Sequence, residues 1–265
     1  MKDISVILPV ESSKHKNFNE LFTNSIVSIK NQSVQPKEVV LVHTNEESLV
    51  SYLNEFDFSG LTVNMVENKG TSDFASQMNL GVENATSEWV SFLEFDDEYA
   101  SIWFKNVQEY ITAHPDVKAF LSLVVDVDDK GTFAGFTNEA TFAASMNTEI
   151  GYLTNEVLLD YQNFQTAGMV VRKDTYQELG GFKPSIKLTF VYEFLLRLTY
   201  NSTKIMTIPR IGYKHLNMRE GSIFWSYKNG ENKVTEDEVK FWLESAKKEH
   251  FFTEDRNIKY EPENV

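Results

Sequence analysis

The sequence predicts an α/β fold, with a mostly parallel central sheet, helices on both faces and a helical extension at the C-terminus. Three observations carry this. Short β-rich apolar runs alternate with helix-length segments along the N-terminal part of the chain, the pattern of successive βαβ units. The run Glu38–Val42 (EVVLV) lacks the polar alternation of a half-exposed strand, as expected where helices cover both faces. The apolar run ending at Leu93 passes directly into a cluster of carboxylates, at the strand end where open α/β sheets bind ligands.

The elements follow in order. Ile4–Val10 reads as the first strand, and Phe18, Leu21, Phe22, Ile26 and Ile29 recur near the 3.6-residue period of a helix. Glu38–Val42 is the second strand, Glu46–Phe56 a helix and Leu61–Val66 the third strand. A helix over Ser72–Ala85 leads to the fourth strand, Trp89–Leu93. Ile102–His114 reads as a helix and Ala119–Val127 as a strand, which turns through Asp128-Asp129-Lys130-Gly131 into Thr132–Phe136. Asp126, Asp128 and Gly131 faintly imitate a calcium loop, but Lys130 takes a ligand position and Thr137 stands where the bidentate Glu belongs, so a plain hairpin is expected. Residues 137–165 have weak periodicity and read as a long excursion beside the site. Then come a strand at Gly168–Val171, helices at Lys173–Leu179 and Thr189–Tyr200, a strand containing Ile208–Ile211, and a helix at Glu236–Lys248 before a polar tail.

Composition bounds the partners. A chain of 265 residues with formal net charge −14 and no basic patch beyond Lys14-His15-Lys16 disfavours nucleic acid. With no cysteine, disulfides, thiolate metal sites and cysteine nucleophiles are excluded, which suits a reducing compartment. MKDISVILPV does not read as a signal peptide, and no apolar run reaches the ~20 residues of a membrane span. A cytoplasmic protein without a membrane span is expected.

The chemistry centres on Phe92-Leu93-Glu94-Phe95-Asp96-Asp97-Glu98-Tyr99. On an extended segment Glu94 and Asp96 project to one side and face one ion, while Asp97 points away to cap the helix beginning near Ser101. Hard divalent cations take such oxygens, and Mn2+ or Mg2+ keeps open positions for substrate phosphates. A solvated acidic loop capping a helix accounts for the cluster equally well.

Several segments in order resemble the family-2-type glycosyltransferases of the Rossmann-like GT-A fold, over roughly residues 3–224. Ser5–Val10 resembles that family's first strand, and Ser25-Ile26-Val27-Ser28-Ile29-Lys30-Asn31-Gln32-Ser33 is similar to its S-I-x-S-I-x-x-Q-T/S helix end. Glu67-Asn68-Lys69-Gly70, with Asn79, Gly81 and Ala85, resembles its E-N-x-G…N-x-G…A segment. FLEFDD stands in the place of F-L-D-x-D-D, and Gly168, Arg172 and Leu179-Gly180-Gly181-Phe182 resemble the later G…R…x-G-G-F segment. The resemblance implies a transferase domain over 1–224 and a helical extension over 225–265. It implies a nucleotide-diphospho-sugar donor and a glycan or other hydroxyl acceptor. It makes Glu94 and Asp96 the metal and diphosphate pair, Asp96 the direct ligand, and Pro9 and Val10 part of the base pocket.

The resemblance thins at definite positions. Where the family carries acidic residues after its second strand, this chain has His43-Thr44-Asn45; Thr44 and Asn45 remain able to hydrogen-bond a base edge, and Asn68 is assigned to the same pocket. Glu11 either bonds a ribose hydroxyl or faces solvent. At the start of the helix over Thr189–Tyr200, Phe190 and Val191 replace the acidic pair whose Asp is the expected base. The nearest acid, Glu193, is the catalytic candidate, although its spacing to Arg197 equally suits a surface ion pair; Glu156 and Asp160 are weaker candidates. His215 is either a further metal ligand or a residue closing the pocket, and Arg219 is placed to fork onto phosphate from a segment, 213–228, that covers the donor. The expected activity is metal-dependent, inverting sugar transfer. Its rival is a binding module that keeps the nucleotide pocket and has lost the base.

Overall fold

The computed structural model describes residues 1–142, 150–217, 219–230, 232–251 and 259–261. Strand β1 (Ile4–Val10) is followed by α1 (Phe18–Lys30), β2 (Glu38–His43), α2 (Glu47–Glu55), β3 (Val63–Glu67), α3 (Phe74–Asn84) and β4 (Trp89–Phe92). After a two-residue strand β5 (Glu98–Tyr99) come α4 (Trp103–Ala113), β6 (Ala119–Val127), β7 (Phe133–Thr137) and a 3-10 turn at Glu139–Phe142. The chain continues through β8 (Tyr152–Leu153), α5 (Asn155–Asp160), β9 (Val170–Arg172), α6 (Lys173–Glu178), α7 (Phe190–Tyr200), β10 (Ile205–Leu216), α8 (Ile223–Asn229) and α9 (Glu236–Lys247).

The sheet runs β3-β2-β1-β4-β9-β6-β10-β5. The pairs β1–β2, β2–β3, β1–β4 and β6–β10 are parallel, and β9 is inserted antiparallel between β4 and β6. Six of the strands on this path therefore share one direction, as expected, and their carboxyl ends form one rim. The hairpin expected at Asp128–Gly131 is present: β7 lies antiparallel to β6, and the Asp128 carboxylate accepts from the Lys130 and Thr132 N–H groups.

Two apolar cores cover the two faces. On one side α1, α2 and α4 pack Phe22, Ile26, Leu49, Trp103 and Phe104 against Val6 and Leu8. On the other, α3, α5, α7 and α9 pack Met78, Leu158, Phe194 and Trp242 against Ile7 and Val40. Residue 224 falls inside α8, and α9 shares its core with α7.

Two of the motif residues have direct geometric causes. A Cβ on Gly81 would stand 2.3 Å from Ile7 Cγ2, so only glycine lets α3 lie this close to β1. Asn79 donates to the Phe182 carbonyl and accepts from the Phe182 N–H and the Tyr176 hydroxyl, pinning the Gly-Gly-Phe turn to α3. Gly181 in that turn has φ +66, and a Cβ there would stand 2.4 Å from Asn79 Oδ1. The excursion over 137–165 holds more structure than its periodicity suggests; its residues 143–149 lie outside the described residues. The same is true of 252–258 and 262–265 in the polar tail. No helix among the described residues is long and apolar enough to cross a membrane.

Candidate functional site

The acidic segment leaves β4 at the rim and turns at once. Leu93 N–H donates to the Ile7 carbonyl, Glu94 N–H to the Tyr213 hydroxyl and Asp97 N–H to the Glu94 carbonyl. Helix α1 holds the far side: Ser28 Oγ accepts from Tyr99 N–H, and Gln32 bonds the Ala100 carbonyl and the Phe104 N–H. The Ser and Gln of the helix-end motif thus brace the backbone behind the carboxylates.

Because the segment turns, residues three apart meet, and the extended geometry expected for Glu94 and Asp96 does not hold. Ligand atoms of Glu94, Asp97 and His215 lie within 4.8 Å of one another. Asp97 is 1% exposed; its Oδ2 is 3.0 Å from His215 Nδ1 and its Oδ1 accepts from Leu216 N–H at 2.8 Å. Its expected helix-capping role is corrected, since α4 starts after Ile102 with no side-chain cap. Asp96 instead accepts from Arg219 Nε at 2.6 Å, and the guanidinium sits 5.1 Å above the Phe95 ring. Arg219 Nη1 is buried with no hydrogen-bond partner among the described residues.

The electrostatics describe a crowded anionic cluster. Burial, then the charges of Asp97, Asp96 and Glu11, raise Glu94 to about 8 against the pull of His215. Burial and Asp97 likewise raise Asp96 despite Arg219. Burial opposes charge on His215, yet Asp97, Glu94 and Asp126 lift it to about 10. Two carboxylates and an imidazole at this separation form a donor set that suits a divalent cation.

The residues expected around the nucleotide are only partly brought together. Pro9, Glu11, Glu94, Phe95, Asp96 and Arg219 line one narrow cleft. Val10 is buried in β1 opposite His43, and Thr44 donates its hydroxyl to the Glu11 carbonyl. Asn45 is exposed, and Asn68 closes its own loop through Gly70 N–H and the Thr71 carbonyl. The Glu11 carboxylate meets His15 Nε2 at 2.7 Å, and that ring stacks on Phe95. The neighbouring Glu46 accepts from Ser12, Ser13 and Ser48, tying the β1 and β2 loops together. Sequence reading missed it, although the serines flanking both strand ends were the available signal.

A larger cavity of about 380 Å³ opens beside the cluster, lined by Glu94, Asp96 and His215 at one end and by Phe74, Phe190 and Phe224 elsewhere. Phe224 of α8 packs on Phe74 and Phe190 at ring separations of 5.2 and 5.9 Å, so the segment after β10 contributes to the cavity wall. Glu193 is not brought there. It is 3% exposed, outside the cavity lining, with both oxygens on Arg197 at 2.8 and 2.9 Å. Arg197, fully buried, also donates to the Leu179 and Gly181 carbonyls. The expected surface ion pair is therefore a core pair. Glu156 and Asp160 are exposed on α5 and also lie outside the cavity lining.

Comparison with known proteins gives a family. The family model described as Glycosyl transferase family 2 matches residues 5–174. The amylovoran biosynthesis glycosyltransferase AmsB of Erwinia amylovora is 29% identical over 104 residues, which cover 37% of this chain and 33% of AmsB. An uncharacterized glycosyltransferase of Haemophilus influenzae is 20% identical over 163 residues, 61% of this chain and 50% of that protein. The chain thus spans half or less of these relatives' length. Residues 1–349 of S. aureus TarS, solved with UDP-GlcNAc, superpose with a TM-score of 0.62 at 18% identity, covering 84% of this chain and 61% of that one. The UDP complex of the same fragment gives 0.59 at 19% identity, covering 94% and 72%. These structural matches establish the fold.

Proposed function

This chain belongs to glycosyltransferase family 2, and on that premise we propose that it moves a sugar, with inversion, from a nucleotide-diphosphate donor to an oxygen of an acceptor. The observation that carries the reading is the meeting of Glu94, Asp97 and His215 at the strand ends, beside Arg219. Those three side chains are assigned to hold Mn2+ or Mg2+, so that Asp97 takes the direct-ligand role first given to Asp96. The bound cation supplies charge neutralisation for the diphosphate as it departs.

The chain's own residues do the rest. Arg219, steadied by Asp96 and Phe95, offers its unpartnered Nη1 to a phosphate oxygen. Pro9 and Glu11 border the same cleft and are assigned to the nucleoside. Phe224, seated on Phe74 and Phe190, shields the reacting centre from water that would hydrolyse the donor. Glu193 is assigned a structural role, because its lone pairs are spent on Arg197.

A second reading, a binding module of the same fold, is favoured by one observation: the first turn of α7 carries Phe190 and Val191 and no carboxylate into the cavity. Incubating the protein with a panel of nucleotide sugars and Mn2+, without acceptor, separates the two. Metal-dependent release of nucleoside diphosphate, lost in Asp97→Ala and weakened less in Asp96→Ala, supports the transferase and its ligand set. Metal-dependent binding without release points to the binding module. No metal dependence, or an intact Asp97→Ala, refutes the cation assignment.

A further inference from the structure

We propose that Gln77 is a specificity-determining residue for the donor: its side-chain oxygen accepts a hydrogen bond from a ribose hydroxyl and so selects ribonucleotides. This rests on the glycosyltransferase reading and names a requirement of its donor. Gln77 lies in α3, 1% exposed, four residues before the glycine that seats this helix on β1. Its side chain lines the narrow cleft that Pro9, Glu11, Asp96 and Arg219 also border. Two side-chain polar atoms sealed in that cleft have no hydrogen-bond partner among the described residues, Arg219 Nη1 and Gln77 Oε1. The first is a donor, assigned to a phosphate oxygen. The second is an acceptor, and the diphosphate has no proton to give it at neutral pH.

The amide cannot turn round to present its other end. Gln77 Nε2 donates to the Ser72 carbonyl at 2.9 Å, and the reverse orientation would set one carbonyl oxygen against another. Gln77 therefore offers a fixed acceptor, and burying one without a donor is unfavourable. The group that completes it must carry an O–H or an N–H. Size decides between them. The free space of the cleft is about 30 Å³, room for a group of the size of water and too little for a base ring. Position points the same way, because the cleft is bordered both by Pro9 and Glu11, assigned to the nucleoside, and by Asp96 and Arg219 at the diphosphate end. Between a base and a diphosphate lies the ribose, whose hydroxyls are donors of the required size. A deoxyribose presents C–H in that place, displaces the water and leaves Gln77 Oε1 unpaired.

Calorimetric binding of UDP, CDP, GDP and ADP to the full chain with Mn2+ identifies the preferred nucleoside diphosphate, and its 2′-deoxy and 3′-deoxy forms are then compared with it. The two deoxy forms distinguish which hydroxyl is read. Wild type is expected to bind one of them about tenfold or more weakly than the ribonucleotide. Gln77→Met keeps the length of the side chain without the acceptor, and is expected to bind the two within about twofold of each other, near the wild-type affinity for the deoxy form. Gln77→Leu carries the same expectation and repeats the test if Gln77→Met does not fold. A merely structural role would lower the melting temperature and weaken both ligands alike, leaving their ratio where wild type has it. Equal wild-type affinity for all three forms overturns the proposal and leaves the acceptor to a bound water only. Discrimination retained in the variants overturns it as well. Binding of no nucleoside diphosphate at all is a different failure, which removes the proposal together with the glycosyltransferase reading beneath it.

Discussion

Replacing Glu193 by Gln tests whether this side chain does chemistry or holds the fold. Arg197 is fully buried and spends its donors on both Glu193 oxygens and on the Leu179 and Gly181 carbonyls. Gln keeps the shape and one acceptor but removes the only counter-charge that the structure shows bonded to Arg197. Removing one partner of a buried pair costs about 3–5 kcal/mol, because the remaining charge stays in a low-dielectric surrounding. The retained hydrogen bond places Glu193→Gln near the lower end, about 3 kcal/mol. For a chain of this size that is a fall in melting temperature of roughly 6–12 °C. Thermal unfolding followed by circular dichroism reads the loss, and acceptor-free donor hydrolysis, measured well below the transition, is expected to stay within about twofold of wild type. An unchanged melting temperature with transfer reduced about 10²–10⁴-fold would refute the reasoning and make Glu193 the base. An unchanged melting temperature and unchanged transfer would refute the magnitude.

Two further outcomes are expected from the scaffold around the site. Burial opposes charge on Glu46, but the hydroxyls of Ser48, Ser12 and Ser13 and the Ser13 N–H outweigh it and lower the carboxyl from 4.5 to about 2. A depressed acid contributes stability above its unfolded pKa and loses it as pH falls, so part of the acid limb between about 4.5 and 2 belongs to this knot. Urea midpoints across that range are expected to fall less steeply in Glu46→Gln; parallel limbs would remove Glu46 from the account. Gly81→Ala gains about 1 kcal/mol of helix propensity, yet its Cβ would stand 2.3 Å from Ile7 Cγ2 and 3.2 Å from Val42 Cγ2. Overpacking there costs about 1–3 kcal/mol, which offsets that gain and leaves a net loss of up to about 2 kcal/mol, read from the denaturation midpoint, and a stabilised variant would show that α3 is free to move off β1.

Much of the fold is legible in the chain because local patterns and global burial agree there. Ile4–Val10 and Ala119–Val127 form the strands expected of them, and the helices α1, α3, α4, α7 and α9 differ from their periodic patterns by only a few terminal residues. Short pieces escaped. The two-residue strands β5 and β8 and the six-residue α5 contain too little periodicity to register, and they exist because β10 and the core of α7 bind them. The insertion of antiparallel β9 between β4 and β6 joins residues far apart in the chain, information that no local window contains.

The site divides along the same line. By itself the sequence determined that carboxylates gather after β4, that His215 and Arg219 come at and after the end of a later strand, and that α7 opens on Phe190 and Val191, since each is a statement about residue type and position along one element. Which carboxylate meets which cation was decided only by the tertiary structure. A turn at Phe95-Asp96 brings residues three apart together, and β10, aligned with β5, delivers His215 to Asp97 and Arg219 to Asp96. The same holds for Glu193. Its spacing to Arg197 is identical in a surface pair and in a core pair, and only the packing of α7 against the rest of the fold places both groups away from water. Spacing along a helix specifies neighbours, whereas burial, which sets the strength of a charge pair, depends on everything the helix packs against.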